Sequence, residues 1–257
     1  YLPSGETVAS ATSGLFSGNK PTNTAYQNAA RYQMIRGAFN VNSTSVQAWK
    51  AMLALQWYLQ RAGYLVLNFD YPSRRISTQQ AVEEWLSPAL QNLEIEPGRK
   101  VHFVTHSLGG LIFRAWAKQR DTDFPLGRTV MLAPPNQGSE IMDHLQGRAW
   151  THWLFGPVVK ELSTGPKGTA RQLGPVPPET HIIMGKRSLI PLFKHLLGPE
   201  SDGVVTVCGG HAEGEAGFSI VDSDHTLIMW RPSVLREVLN ILRSPSSAIN
   251  RDSSESD

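Results

Sequence analysis

The chain has 257 residues, 40% of them apolar and 18% charged, with 24 Lys and Arg against 22 Asp and Glu. That length suits one α/β domain with a sizeable core, and the scattered, nearly balanced charge argues against a phosphate-tracking stripe for nucleic acid or anionic membrane. A single cysteine, Cys208, excludes an internal disulfide and a cysteine-based metal centre, and no run approaches the roughly 20 apolar residues of a membrane span.

Residues 1–31 are rich in Ser, Thr, Gly and Asn without periodicity and read as an irregular arm. They show no basic start followed by an apolar core, so no signal peptide is visible and a cytoplasmic location is expected. Residues 32–35 form a short strand leading to Arg36-Gly37-Ala38-Phe39. After a polar loop, Thr44 and Gln47 have the spacing of a capping box. Val46, Trp49, Leu53, Trp57 and Tyr58 then follow helical spacing up to a stop at Gly63.

Residues 64–69, YLVLNF, are the next strand, and Asp70-Tyr71-Pro72-Ser73 turns the chain out of it. Ser77 and Gln80 repeat the capping box before a helix through Trp85, which Pro88 is expected to kink or interrupt. Pro97-Gly98 marks a loop.

The segment 101–116, VHFVTHSLGGLIFRAW, organises the rest. Val101, Phe103 and Val104 suit a strand buried on both faces of a parallel sheet, and the Gly- and Pro-free stretch 111–117 suits a helix. Ser107 stands between them among small residues, the pattern of a nucleophile elbow that lifts a serine hydroxyl above the sheet edge. The usual G-x-S-x-G reads Thr105-His106-Ser107-Leu108-Gly109 here, with Thr in the first glycine position.

Residues 129–133, TVMLA, form a further strand. Between 140 and 178 the strand and helix rhythm breaks: Ile141, Met142, Leu145, Ala149, Trp153 and Leu154 fit one helical face, and repeated Gly and Pro punctuate the remainder. This stretch reads either as a cap or lid insertion over the serine or as an ordinary packing helix with a loop. Trp150, Trp153, Leu154 and Phe155 would then line an acyl site or simply add core. Strands are expected at 181–184, 204–207 and 218–221. Pro232 opens a last helix with Val234, Leu235, Val238, Leu239 and Leu242 inward. Residues 244–257 bury too little to fold, which leaves 32–243 as the domain. Alternating strands and helices imply a mainly parallel sheet covered on both faces.

A serine nucleophile needs a base within hydrogen-bond reach and a carboxylate to orient it. Of the eight histidines, His102 and His106 read as structural, His144 and His152 fall in the insertion, and His211 lies in a Gly-rich loop. His225 follows the last strand in the loop VDSDHT and leaves the same sheet edge as Ser107. Asp202, in Ser201-Asp202-Gly203, is the chosen acid; Asp222, Asp224 and Asp70 are the alternatives. The order Ser107, Asp202, His225 is that of the α/β-hydrolase fold. Oxyanion donors are expected at the backbone N–H of Leu108 and at Ala38, in the loop after the first strand. No histidine, cysteine and carboxylate set has metal-ligand spacing, so no metal and no cofactor is expected.

The chain resembles bacterial lipases and esterases of the α/β-hydrolase superfamily over residues 32–242. The resemblance is carried by NFDYPS at 68–73, THSLGG at 105–110, APPNQGS at 133–139, SDGVV at 201–205 and DHT at 224–226. It implies a serine carboxylester hydrolase without metal or cofactor, acting on small-molecule esters or lipids, and supports Asp202 and His225 in their roles. Such hydrolases usually carry His-Gly after the early strand, where this chain has Arg36-Gly37. Acyltransferase and thioesterase chemistry would use the same first half-reaction, and a non-catalytic binding protein on this fold is the rival from another class.

Overall fold

The computed structural model describes residues 30–36, 45–69, 71, 76–93, 95, 97–145, 161–166, 168–189 and 195–244. Six strands form one sheet: β1 (Ala30–Arg36), β2 (Tyr64–Phe69), β3 (Val101–His106), β4 (Leu126–Leu132), β5 (Thr180–Gly185) and β6 (Gly217–Val221). Their order is β2-β1-β3-β4-β5-β6, and every neighbouring pair is parallel. The strand expected at 32–35 thus starts two residues earlier, at Ala30.

The order reverses direction between β1 and β3, because the chain passes outward to β2 before returning to the other side of β1. Such a switch point opens a crevice at the carboxyl ends of the strands, where ligands bind in open α/β sheets.

Period-2 alternation sorts the strand residues between two cores. Val101 and Phe103 of β3, Met131 of β4, and Ile182 and Met184 of β5 face one side, where they meet Leu111, Ile112, Phe113 and Trp116 of α3 (Leu108–Gln119). Val104, Val130, Leu132 and Ile183 face the other. There they meet Met52, Leu55 and Leu59 of α1 (Ser45–Arg61) and the apolar face of the C-terminal helix α7 (Pro232–Arg243). Val234, Leu235, Val238, Leu239 and Leu242 are all buried, as their spacing predicts.

Several expectations require correction. The buried stripe of α1 includes Met52, Leu55 and Leu59, while Trp57 is 58% exposed and carries the Arg61 guanidinium 4.8 Å above its ring. The capping box at Thr44 lies outside the described residues. That at Ser77 forms in full: its hydroxyl accepts from the Gln80 N–H, and the Gln80 side chain accepts from the Ser77 N–H.

The regular α-helix is interrupted ahead of Pro88, which stands in the first turn of a further α-helical segment, although the helical run itself continues. Residues 78–91, designated α2, run through Thr78–Gln80, a π-helical Ala81–Leu86 and Ser87–Gln91. The Ser87 N–H donates to the Val82 carbonyl five residues back, and this wider turn precedes the proline, whose ring would clash with the carbonyl four residues back in a regular helix.

The strand expected at 204–207 is absent. Val204 and Val205 lie in a turn, and Thr206 caps a short helix, α6 (Val207–Gly210), by accepting from the Gly209 N–H. Side-chain acceptors have taken the backbone donors a strand would need. Cys208 is exposed on α6.

In the stretch 140–178, the described parts include α4 (Glu140–Leu145) and α5 (Thr169–Gln172). Ile141, Met142, Leu162, Ala170 and Val176 pack into the core beside α3. Residues 146–160 of the expected cap, with Trp150, Trp153, Leu154 and Phe155, lie outside the described residues.

Candidate active site

Ser107 follows β3 and caps α3 with φ 52° and ψ −127°, a conformation rare for a residue with a side chain. The turn is held on both sides: the Ser107 N–H donates to the Leu132 carbonyl at 2.9 Å, and its carbonyl accepts from the Gly110 N–H at 2.9 Å. A Cβ on Gly110 would lie 3.0 Å from the Cβ of Pro134, so the helix start presses closely on the segment after β4. Thr105, in the position where the motif has glycine, is fully buried. Leu108 is the first residue of α3, so its N–H belongs to the helix donors that have no intrahelical acceptor.

Asp202 reaches the site from the loop between β5 and β6. Its Oδ1 accepts from the backbone N–H groups of Val204 (2.9 Å) and Val205 (2.8 Å) across a turn in which Gly203 takes φ +97°. At the end of β5, a Cβ on Gly185 would come within 2.3 Å of the Ser223 carbonyl and 3.0 Å of the Asp202 Cβ. Glycine there lets the Asp202 loop and the loop after β6 close on each other.

His225 lies in that second loop. Its Nδ1 is 2.7 Å from Asp202 Oδ2, and its Nε2 is 2.9 Å from Ser107 Oγ. An ionised carboxylate only accepts, so Nδ1 carries the proton, and Nε2 of the neutral ring is left to accept from the serine hydroxyl. All three residues are buried, with exposures of 0% for Ser107, 2% for Asp202 and 4% for His225.

The alternative acids lie elsewhere. Asp224 Oδ1 accepts from the N–H groups of Thr226 and Leu227, starting the 3₁₀ turn Leu227–Trp230, and Asp222 sits 4.0 Å from Arg187 with a side chain 71% exposed. Asp70 and the expected oxyanion donor Ala38 lie outside the described residues. Three of the other described histidines have partners away from the site. His102 Nδ1 accepts from the Arg128 N–H, and burial, then the charges of Arg128 and Lys100, lowers its pKa to about 4. His144 meets the Glu140 carbonyl, and His211 pairs with Glu215 and stacks on Phe218.

Two contacts around the site left no signal in the sequence. His106 Nε2 lies 2.8 Å from the carbonyl oxygen of His225, and both rings are buried. Arg114, inside α3, donates to Asn136 O and Oδ1 and to the carbonyls of Ala170 and Gly174. Burial lowers its pKa to about 10, which leaves it charged at neutral pH. Asn136 in turn donates to the Gly210 carbonyl, so one buried cation ties α3 to the surrounding loops. Among the described residues, no group of three or more His, Cys, Asp or Glu could hold a metal ion.

No protein-family profile and no curated protein matches the chain. Solved structures do. The mature lipase BlEst2 of Bacillus licheniformis superposes with a TM-score of 0.63 at 16% identity, over 87% of this chain and 96% of that one. The phospholipase PlaB of Legionella pneumophila gives 0.58 at 16%, over 84% and 60%. The metagenomic carboxyl esterase MGS0156 gives 0.59 at 13%, over 80% and 67%. The matched region of this chain spans about three fifths of PlaB and 53% of the propeptide form of BlEst2. The fold shared with these proteins is the α/β-hydrolase fold.

Proposed function

We propose that the chain is a carboxylic ester hydrolase in which Ser107 is the nucleophile, His225 the base and Asp202 the group that orients it. The observation that carries this reading is the buried chain of hydrogen bonds Asp202–His225–Ser107, at 2.7 and 2.9 Å, ending on a serine in a strained strand-to-helix turn.

In this mechanism His225 Nε2 takes the hydroxyl proton as Ser107 Oγ attacks the ester carbonyl. The same proton passes to the leaving alcohol as the tetrahedral intermediate collapses to an acyl-enzyme. Water, deprotonated by His225, then releases the carboxylic acid. The developing oxyanion is assigned to the Leu108 N–H and, from the loop after β1, the Ala38 N–H. The domain, expected over 32–243, opens with β1 at Ala30 and carries a cap or lid insertion at about 140–178, and the substrate is a small-molecule ester or lipid, turned over without cofactor. Among the described residues no helix is long and apolar enough to cross a membrane.

The test is stoichiometric labelling by a fluorophosphonate together with a series of p-nitrophenyl esters of increasing chain length. Labelling at Ser107 with turnover of the esters is expected, and an intact protein that does neither would refute the reading.

A further inference from the structure

His106 precedes the nucleophile, yet its side chain contacts the residue that carries the base. Each of the four hydrogen-bonding groups of His225 is engaged. Its N–H donates to the Asp202 carbonyl at 3.0 Å, Nδ1 meets Asp202 Oδ2, Nε2 meets Ser107 Oγ, and its carbonyl oxygen lies 2.8 Å from His106 Nε2. A carbonyl only accepts, so His106 Nε2 must carry a proton and donate. The two rings lie 5.0 Å apart at 49°, and both are almost fully buried.

We propose that His106 is a positioning residue, which anchors the backbone of the His225 loop to the end of β3 and so fixes the distance between Ser107 Oγ and His225 Nε2. The inference rests on the catalytic reading of Ser107 and His225. The geometry supplies the reason. Asp202, through its carboxylate and its carbonyl, and the Arg187 N–H, which donates to the Ser223 carbonyl at 3.1 Å, hold the His225 loop from the β5 side of the sheet, and the bond to His106 ties it to β3 on the other side. His106 and Ser107 are consecutive residues, so a bond from His106 to the His225 backbone links base and nucleophile through the β3 terminus itself. That terminus is held in turn by the Arg36–His106 and His106–Leu132 pairings in the sheet. A displacement of about 1 Å between reacting groups costs on the order of 100-fold in rate.

The experiment compares wild type with His106→Leu, which removes the donor, and His106→Gln, whose amide can place an N–H near the position of Nε2. Each is read by kcat and KM on a p-nitrophenyl ester, by the rate of fluorophosphonate labelling, and by melting temperature. In His106→Leu, kcat and the labelling rate should fall about 10- to 100-fold with KM nearly unchanged, because the loss is of alignment and not of substrate contact. His106→Gln should restore most of that loss. Wild-type rates in His106→Leu, or a glutamine variant as impaired as leucine at unchanged melting temperature, would overturn the assignment.

The tautomer is read separately on the unaltered protein by ¹⁵N correlation spectra of the histidine rings. A protonated Nε2 on His106 is required, and a neutral ring protonated only at Nδ1 would overturn the proposal even if His106→Leu does not fold. If wild type is not labelled at Ser107, the catalytic reading fails, whereas wild-type labelling that is indifferent to position 106 sinks only this inference.

Discussion

Asp202 and His225 are joined twice, once through carboxylate and imidazole at 2.7 Å and once through the His225 N–H and the Asp202 carbonyl at 3.0 Å. Side chain and backbone of His225 are therefore referred to the same residue. The other carboxylate oxygen, Oδ1, is occupied by the N–H groups of Val204 and Val205.

That occupancy dictates what Asp202→Asn would do. The two N–H donors hold the amide oxygen at the Oδ1 position and turn the NH₂ toward His225 Nδ1. The ring must then accept at Nδ1 and protonate at Nε2, the tautomer unable to take the Ser107 proton. A loss of about 10⁴ in kcat is expected, measured on a p-nitrophenyl ester, with the fold retained. Asp222→Asn and Asp224→Asn should cost far less, and a larger loss in either would move the acid assignment.

Replacing Ser107 with Ala removes the proposed nucleophile and should lower kcat by roughly 10⁶ if the three residues act as a unit. Alanine at φ 52° is strained as serine is, so stability should change little. Activity within tenfold of wild type would place the nucleophile elsewhere.

His102 gives a stability prediction with a definite sign. Burial, then the positive charges of Arg128 and Lys100, lowers its pKa from 6.5 to about 4. As pH falls below 6.5 the unfolded chain takes up a proton that the folded protein refuses. Stability is therefore full above 6.5, declines through the window from 6.5 to about 4, and levels off below it. The full displacement corresponds to about 3 kcal/mol. His102→Asn keeps an acceptor for the Arg128 N–H and does not titrate, so its urea midpoint should fall less than that of wild type between neutral pH and about pH 4.5. Equal falls in the two proteins would show that His102 is not the group responsible.

The assignment of Ala38 as oxyanion donor yields a test based on the backbone. Ala38→Ser keeps the N–H and should be tolerated, whereas Ala38→Pro deletes it and should cost about 10² to 10³ in kcat. With melting temperature and binding of a substrate analogue unchanged, near wild-type kcat in Ala38→Pro would put the second donor elsewhere, most directly at Phe39.

The strands were legible where their chemistry is local. Val101, Phe103 and Val104 alternate between two buried faces, and the small residues around Ser107 announce the elbow. The run Val204–Val205–Thr206–Val207 misled because β-branched residues suggest a strand, while the outcome was set by Asp202 Oδ1 and Thr206 Oγ1 capturing nearby N–H groups. Pro88 signalled an interruption of the regular helix, and its form, a π-turn through which the helical run continues, appears only in the structure. His225 could be selected from its place after the last strand. The preference for Asp202 over Asp224 becomes physical only once Asp224 Oδ1 is seen to start its own turn. The bond from His106 to the His225 backbone spans 119 positions and has no sequence signature.

The sheet order has a consequence for refolding. Ser107, Asp202 and His225 leave the ends of β3, β5 and β6, which stand at three separate positions in an all-parallel sheet. Parallel pairing requires crossovers and is dominated by contacts between distant parts of the chain, a topology that folds slowly. After dilution from denaturant, helical signal can therefore return before these three strand ends have come into register. Recovered turnover would be a late reporter, sensitive to whether the half of the sheet from β3 to β6 has closed.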